Sequence, residues 1–228
     1  YLDYYYILKY EAEATTEWLR VMDAFSVPET YFWREADQLR ALVNVVVPRW
    51  FVRHPATPLR IWSAACATGE EPYSIVMALQ EAGWGSHPIE VRASDASEAA
   101  LAKARAGVFR ERSFRSLPEH LRRKYFRTVA DQDRIDSAVI ERVTFARANL
   151  LAEAEIRPFA EAEVIFCRNV FIYFSPGATS RVVSAFARHA PPGQHLFIGA
   201  SESLLKLSSD YEITELSGAF VYRRKEGA

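Results

Sequence analysis

Cysteine is scarce in this 228-residue chain, and glycine-rich loops, long apolar runs and an excess of either charge are missing. Cys66 and Cys167, 101 positions apart, have no second pair beside them. A disulfide framework or a zinc site needs more thiols at closer spacing, so neither a stapled fold nor a metal is expected, and a reducing, cytoplasmic compartment fits. Apolar runs fall far short of a bilayer span, so no membrane insertion is expected. A formal charge of -1, from 28 Lys and Arg against 29 Asp and Glu, argues against a whole-chain nucleic-acid binder but leaves room for local basic patches. Internal repeats are absent. Half of the residues are hydrophobic and a quarter charged, a globular composition. At a soft prior of roughly 150 residues per domain, one domain and part of another are accommodated.

The chain opens at Tyr1 inside a helical-looking stretch, which predicts a piece cut from something longer. Tyr4, Leu8, Trp18, Leu19 and Met22 are spaced to bury one stripe of a helical remnant. Pro28 marks a bend, and apolar Leu39, Leu42, Val43, Val46 and Val47 predict a helix from about Glu35 to Trp50. Arg60 to Ala64 reads as a buried strand, and Pro72 to Ala82 as a helix stopped by Gly83. Ile89 to Ser94 reads as a second strand, with Ser97 capping an Ala-rich helix, Glu98 to Ala106, that closes at Gly107. Val164 to Cys167 and His195 to Gly199 follow as strands. Ser175 and Pro176 start the helix between them, which runs to about His189. Tyr211 to Leu216 and Ala219 to Arg224 form a terminal antiparallel hairpin around Ser217 and Gly218. Strands alternating with helices predict an α/β fold with a mostly parallel sheet and ligands at the carboxyl ends of its strands. From Val108 to Phe145 the rhythm breaks into a basic helix and polar alternation, read as an inserted subdomain.

The turn after the first strand runs Cys66, Ala67, Thr68, Gly69, Glu70, Glu71 and Pro72, one glycine and two carboxylates. A pyrophosphate needs bare amides there, and a P-loop needs Gly-Lys-Ser/Thr. Two glutamates repel a phosphate; they either complement a helix N-terminus or hold an ammonium group. Asp95, at the end of the second strand, stands where a nucleoside-binding fold accepts ribose hydroxyls, or it caps the next helix. Asn149, Arg168 and Asn169 are polar groups at strand ends.

Four strings make the pattern specific: Thr30-Tyr-Phe-Trp-Arg34, Trp62-Ser-Ala-Ala-Cys-Ala-Thr-Gly-Glu-Glu-Pro-Tyr-Ser-Ile75, Phe166-Cys-Arg-Asn-Val-Phe-Ile-Tyr-Phe174 and Leu196-Phe-Ile-Gly-Ala-Ser-Glu-Ser203. Together they resemble the chemotaxis-receptor glutamate O-methyltransferases, the CheR family, from about Val27 to Tyr222. The resemblance implies a class I, Rossmann-like S-adenosylmethionine-dependent methyltransferase domain over 34–228, with a basic helix and small β-subdomain inserted at about 108–146. Residues 1–33 would then be the remnant of a helical N-terminal domain and its linker. It implies S-adenosyl-L-methionine as cofactor and S-adenosyl-L-homocysteine as product. Thr30 and Arg34 would contact the cofactor and reacting region, Glu71 the methionyl amino group, Asp95 the ribose, Asn149 and Leu150 the adenine side, and Arg168 with Asn169 the rest of the pocket. Arg34 and Tyr173 are the expected orienting residues for an acceptor carboxylate. The chain departs from the family pattern at Pro28, at Ala96 and Ser97 after Asp95, and at Ala200, where the family carries histidine.

A glutamate carboxylate, which ordinarily titrates near about 4.3, is ionised at neutral pH, so methyl transfer to it needs no general base. Alignment and exclusion of water remain, an effect of proximity that can supply roughly 7–11 kcal/mol. Nine basic residues between Lys103 and Arg127, among them Arg112, Arg115, Arg122 and Arg123, face only Glu111 and Glu119 as acids. Such a patch would steer an acidic helical receptor region toward the site. Nucleic acid is the rival for that charge, but stacking aromatics are not interleaved there. Thr128 to Val143 holds no glycine, unlike family members that dock on a receptor's C-terminal peptide, so no such tether is expected. Two alternatives stay open: a regulatory module that binds the cofactor without turnover, and a methyltransferase with another acceptor. The Asn/Asp-Pro-Pro-Tyr/Phe signature of many N-methylating enzymes is replaced by Arg168-Asn169-Val170-Phe171.

Overall fold

A computed structural model describes residues 2–11, 17, 18, 20, 21, 23, 29–129 and 132–225. Its centre is a seven-stranded sheet with strands β1 (Leu59–Ala64), β2 (Ile89–Asp95), β6 (Val143–Arg147), β7 (Val164–Phe166), β8 (His195–Phe197), β9 (Tyr211–Leu216) and β10 (Ala219–Arg224). The spatial order is β6-β2-β1-β7-β8-β10-β9. Strands β6 to β8 in that order pair in parallel, whereas β10 runs antiparallel to both β8 and β9.

Strand alternation divides the core into two layers. Leu59 and Ile61 of β1, with Val164 and Phe166 of β7, enter one apolar cluster; Trp62, Ala64 and Ile165 enter the other. This period of two buries both faces, as a mostly parallel sheet requires. The first cluster is completed by α2 (Ala36–Ala41), α3 (Val47–Arg53), α4 (Glu70–Glu81) and α5 (Glu98–Ala106), and the second by α8 (Glu153–Ala160) and α9 (Pro176–His189). Between α2 and α3 the chain stays helical but widens to π geometry over Leu42–Val46, where the Val47 N–H reaches back to the Leu42 carbonyl. Pro48 gives the reason: it lacks an N–H, and its ring would strike the Asn44 carbonyl in regular α geometry.

Local signals place several elements as their residues predict. Ser97 caps α5 by accepting the Ala100 N–H at 3.0 Å, and Ser175 caps α9 through Ala178 at 3.3 Å. The terminal hairpin has the expected bounds. Elsewhere the edges move: α4 begins at Glu70 rather than Pro72, and β7 and β8 end at Phe166 and Phe197.

Two expectations need correction. Val143–Arg147, expected within the insertion, instead pairs in parallel with β2 as the edge of the main sheet. The inserted sheet is β3 (Val108–Phe109), β4 (Phe126–Val129) and β5 (Gln132–Ile135), in the order β3-β5-β4, with α6 (Glu119–Tyr125) between β3 and β4 and α7 (Ser137–Ile140) after β5. The N-terminal stripe also differs. Helix α1 (Leu2–Tyr10) has no buried residue, and Tyr4 and Trp18 are exposed. They bond locally instead, Tyr4 to Glu17 and Trp18 to the Leu8 carbonyl. Leu19, Met22 and Pro28 lie outside the described residues.

Candidate active site

The strand order reverses between β1 and β7, and at such a switch point the carboxyl ends of neighbouring strands leave a crevice. A cavity of about 460 Å³ opens there, lined by Thr30, Arg34, Glu71, Asp95, Asn149, Leu150, Arg168, Asn169 and Tyr173, together with small or apolar groups such as Ala65, Ala67, Ala96 and Val170. Every cofactor and acceptor residue named from the sequence therefore faces one volume, although they come from segments far apart in the chain.

Each wall has an identifiable support. Thr30 and Arg34 sit on the loop before α2, and that loop is pinned by Phe32. Its ring is buried against Phe109, Phe114 and Phe126 of the insertion, with centroids 4.7, 5.4 and 5.0 Å away. The Phe32 N–H donates to the Ser113 carbonyl at 2.9 Å, and the Trp33 N–H to Ser74 Oγ at 3.0 Å. The insertion thus holds one lip of the cavity. After β1, Ala65 and Ala67 occupy left-handed backbone conformations, with φ of 56° and 47°. Non-glycine residues rarely adopt these, and such strain concentrates at functional turns.

The Asp95 carboxylate accepts the Ala67 N–H at 2.8 Å and the Ser97 N–H at 2.9 Å. Burial pushes its carboxyl upward, while these amides pull the other way. Glu71 is held on both oxygens, by Ser63 Oγ at 2.6 Å and Arg168 Nε at 2.7 Å. Only 2% of the Arg168 side chain is exposed, and its second arm donates to the Arg34 carbonyl at 2.8 Å. Arg168 is thus a buried cross-link between the β7 end, Glu71 and the Thr30–Arg34 loop. Asn149 folds onto itself, its Oδ1 accepting the Leu151 N–H at 3.0 Å. Tyr173 stands at the rim, 63% exposed, on the 3-10 turn Phe171–Tyr173. Cys66 also lines the cavity, but burial and the nearby Asp95 and Glu71 carboxylates push its thiol well up, which leaves it unsuited to act as a nucleophile.

Glu202 has no role in the sequence reading, although it belongs to one of the four strings. Its carboxylate accepts four backbone N–H groups: Gly199 at 2.7 Å, Asn169 at 2.9 Å, Phe171 at 2.7 Å and Ile172 at 3.3 Å. Asn169, at φ 59°, presses so closely on Gly199 that a Cβ there would lie 2.5 Å from Asn169 Nδ2. A single acid fixing two loops cannot be read from composition; a Glu just past a small-residue strand end is the one visible signal. Glu70 likewise differs from its neighbour Glu71. It is buried beneath the turn, accepts from Thr68 Oγ1 and Ser113 Oγ, and is raised mainly by burial.

The basic patch divides. Arg115 reaches the mouth of the cavity, stacking 3.8 Å over the Tyr31 ring, with Arg34 at 5.3 Å from the same ring. Arg112 and Arg123 are exposed. Arg122 departs from the expected docking role: it pairs with Asp133 at 2.6 Å and Glu111 at 2.7 Å and packs over Phe114, so it holds the insertion together.

Residues 28–220 match the family model for the CheR methyltransferase, SAM binding domain. The chain belongs to the CheR methyltransferase family. Its cofactor is therefore S-adenosyl-L-methionine, and its fold the class I methyltransferase sheet. Among similar proteins is chemotaxis protein methyltransferase 2 of Vibrio cholerae serotype O1, 39% identical over 215 residues, covering 92% of this chain and 74% of that protein. Another is the probable biofilm formation methyltransferase WspC of Pseudomonas aeruginosa, 35% identical over 208 residues, covering 91% of this chain and 49% of that protein. Against WspC, then, the CheR-family chain spans about half the relative's length. Among the described residues no helix is long and apolar enough to cross a membrane.

The cavity's chemistry fits the cofactor. Asn169 Oδ1 is buried without a hydrogen-bond partner among the described residues, an acceptor that a bound ammonium or hydroxyl donor would satisfy. Three acids, Glu29, Glu71 and Asp95, and an apolar wall containing Leu150 and Ala148 suit a cationic nucleoside rather than a pyrophosphate.

Proposed function

We propose that this CheR-family chain is a protein-glutamate O-methyltransferase that forms glutamyl methyl esters on the acidic helical cytoplasmic region of a chemoreceptor-like signalling protein. The observation that carries the reading is the convergence of Thr30, Arg34, Glu71, Asp95, Asn149, Leu150, Arg168, Asn169 and Tyr173 on one cavity. In this reading Asp95 accepts the ribose hydroxyls, Glu71 and Asn169 receive the methionyl ammonium, and Asn149 with Leu150 borders the adenine. Arg168 acts through Glu71 and the Arg34 carbonyl as a positioning residue. The bound cofactor supplies an electrophilic methyl group on a sulfonium.

Arg34 and Tyr173 then orient the acceptor. A guanidinium fork holds the incoming carboxylate in the plane that presents one oxygen, and the Tyr173 hydroxyl fixes its neighbour. Orientation matters more than charge, because gripping the ground state tightly would slow the reaction. No proton moves, which agrees with the two buried, protonated thiols Cys66 and Cys167 having no catalytic part. Arg115, beside Tyr31 at the mouth, with exposed Arg112 and Arg123, attracts the acidic receptor helix; Arg122 supports them from within. The name of the WspC relative refers to biofilm formation, so the receptor is best described by its acidic helices rather than by flagellar chemotaxis. We further assign residues 1–33 to the tail of a helical N-terminal domain. No C-terminal peptide tether is proposed for the insertion.

Incubation with methyl-labelled cofactor and receptor cytoplasmic fragments tests the reading. Label on protein that alkali releases as methanol supports it. Cofactor binding without transfer supports a regulatory module, and alkali-stable label supports a different acceptor class.

A further inference from the structure

Arg34 is flanked by two non-glycine residues in the left-handed region, Trp33 at φ 63° and Glu35 at φ 52°. Such a backbone is costly and persists only where surrounding contacts over-determine it. Part of that hold is visible at Glu35, whose Oε1 accepts the Ala200 N–H at 3.2 Å from the loop after β8. Its Oε2 is buried and accepts no hydrogen bond among the described residues. The same oxygen lies 3.8 Å from Arg168 Nη1, too far for a hydrogen bond but close enough for the two charges to act on each other.

A strut does not need this charge. The neutral Gln38 already fastens the start of α2 to the same region: its Nε2 donates to the Ile198 carbonyl at 2.7 Å, and its Oε1 faces Arg168 Nη1 at 3.5 Å. A buried carboxylate oxygen left unbonded costs stability, so its retention calls for another role. Charge supplies one. Arg168 Nε holds Glu71 at 2.7 Å, and one guanidinium with one carboxylate cancels. Glu35 adds a second carboxylate against the same guanidinium, so Glu35, Arg168 and Glu71 together carry an excess of negative charge beside the part of the cavity that Glu71 and Asn169 line. Glu35 is not in that lining, and its charge acts across the buried Arg168, where solvent screens it little.

We propose that Glu35 is a positioning residue for the amino-acid end of the cofactor: its charge offsets that of Arg168, which leaves Glu71 able to attract the methionyl ammonium. The role rests on the assignment of Glu71 to that ammonium. It sets the affinity for the amino-acid end without touching it, and it leaves the nucleoside end, at Asp95, Asn149 and Leu150, to its own contacts.

Two variants separate charge from anchorage. Glu35→Gln keeps an oxygen for the Ala200 N–H and removes the charge, whereas Glu35→Asp keeps the charge and shortens the anchor. Calorimetry on the full chain compares S-adenosylhomocysteine with 5′-deoxy-5′-methylthioadenosine, a thioether nucleoside without the amino-acid end. Glu35→Gln is expected to weaken S-adenosylhomocysteine binding about tenfold and binding of the truncated nucleoside by less than about twofold, which also shows that the variant is folded. Glu35→Asp is expected to keep the parent's ratio of the two affinities within about threefold, even where its Tm falls. Equal losses for both ligands in Glu35→Gln, no loss for either, or a ratio that falls in Glu35→Asp and not in Glu35→Gln would overturn the role. Glu71→Gln is the reference. A fall in the ratio there with none in Glu35→Gln overturns the role of Glu35 alone; no fall in Glu71→Gln overturns the placing of the ammonium on which that role rests.

Discussion

Glu202 Oε2 accepts the Asn169 backbone N–H at 2.9 Å, which ties the loop after β8 to the loop that carries Asn169 and Tyr173. With the Gly199, Phe171 and Ile172 amides on the same carboxylate, removal of Glu202 leaves four donors without their acceptor. Hydrogen bonds to a charged group contribute about 1.5–3 kcal/mol each, although not additively. Glu202→Ala is therefore expected to cost about 3 kcal/mol, a fall in Tm of roughly 6–12 °C for a domain of this size. Glu202→Gln, which turns one acceptor into a donor, should lie between. Calorimetric melting checks both, and transfer should fall further than cofactor affinity because Tyr173 rides on the released turn.

Asp95 and Tyr173 should separate binding from transfer. Asp95→Ala removes the proposed ribose acceptor and two loop contacts, so affinity for S-adenosylhomocysteine is expected to fall by about 10–100-fold. Tyr173→Phe removes a rim hydroxyl from an exposed side chain and should lower kcat about tenfold with cofactor affinity within about twofold. Titration calorimetry and initial rates on the same preparations decide; the opposite pattern would exchange the two roles.

Much of this arrangement is legible wherever the signal is local. Ser97 and Gly107 bound α5, and the hairpin around Ser217 and Gly218 follows from turn chemistry. Three of the four strings carry Thr30, Arg34, Glu71, Arg168, Asn169 and Tyr173 of the cavity, whereas Asp95, Asn149 and Leu150 lie outside all four and are read from their positions at strand ends and from the resemblance. Long-range determinants are not legible. The edge strand Val143–Arg147 finds its partner β2 about fifty residues back across the insertion, which periodicity does not encode. Charge counts make Arg122 look like surface, yet its partner Asp133 is buried across a strand pairing. Ala65 and Ala67 take left-handed conformations that their identities disfavour, and such conflict between local preference and fold is expected at a working site.

Glu70 links stability to pH. Burial raises its carboxyl in the folded chain above the unfolded value, so the folded state binds the proton more tightly. Its contribution to stability is fully present below the unfolded carboxylate range and is lost as pH rises through the folded value. Glu70→Gln keeps the shape without the buried charge, and the Thr68 and Ser113 hydroxyls can rotate to serve an amide. The variant should melt at or above the parent temperature at pH 7, and that difference should shrink as pH falls toward about 4. Melting curves across this range would contradict the assignment if the gap widened on acidification.

Arg122 and Arg123 are adjacent but should behave differently. Arg122→Ala strands the buried Asp133 carboxylate and removes packing from Phe114, a loss of about 2 kcal/mol. Arg123 pairs with Glu119 at 3.9 Å on the exposed face, so Arg123→Ala should change stability by less than about 0.5 kcal/mol. Charge reversal at Arg115 and Arg123 is expected to raise KM for an acidic receptor fragment and to flatten its salt dependence, with cofactor affinity unaltered. Denaturant melts and rate measurements at two salt concentrations provide the comparison.

A crystal structure with S-adenosylhomocysteine tests the central claim most directly. The nucleoside is expected in the cavity between β1 and β7, with its ribose hydroxyls on Asp95, its amino group at Glu71 and Asn169, and its sulfur facing the space between Arg34 and Tyr173. Density for the product anywhere else, or a ribose turned away from Asp95, would contradict it.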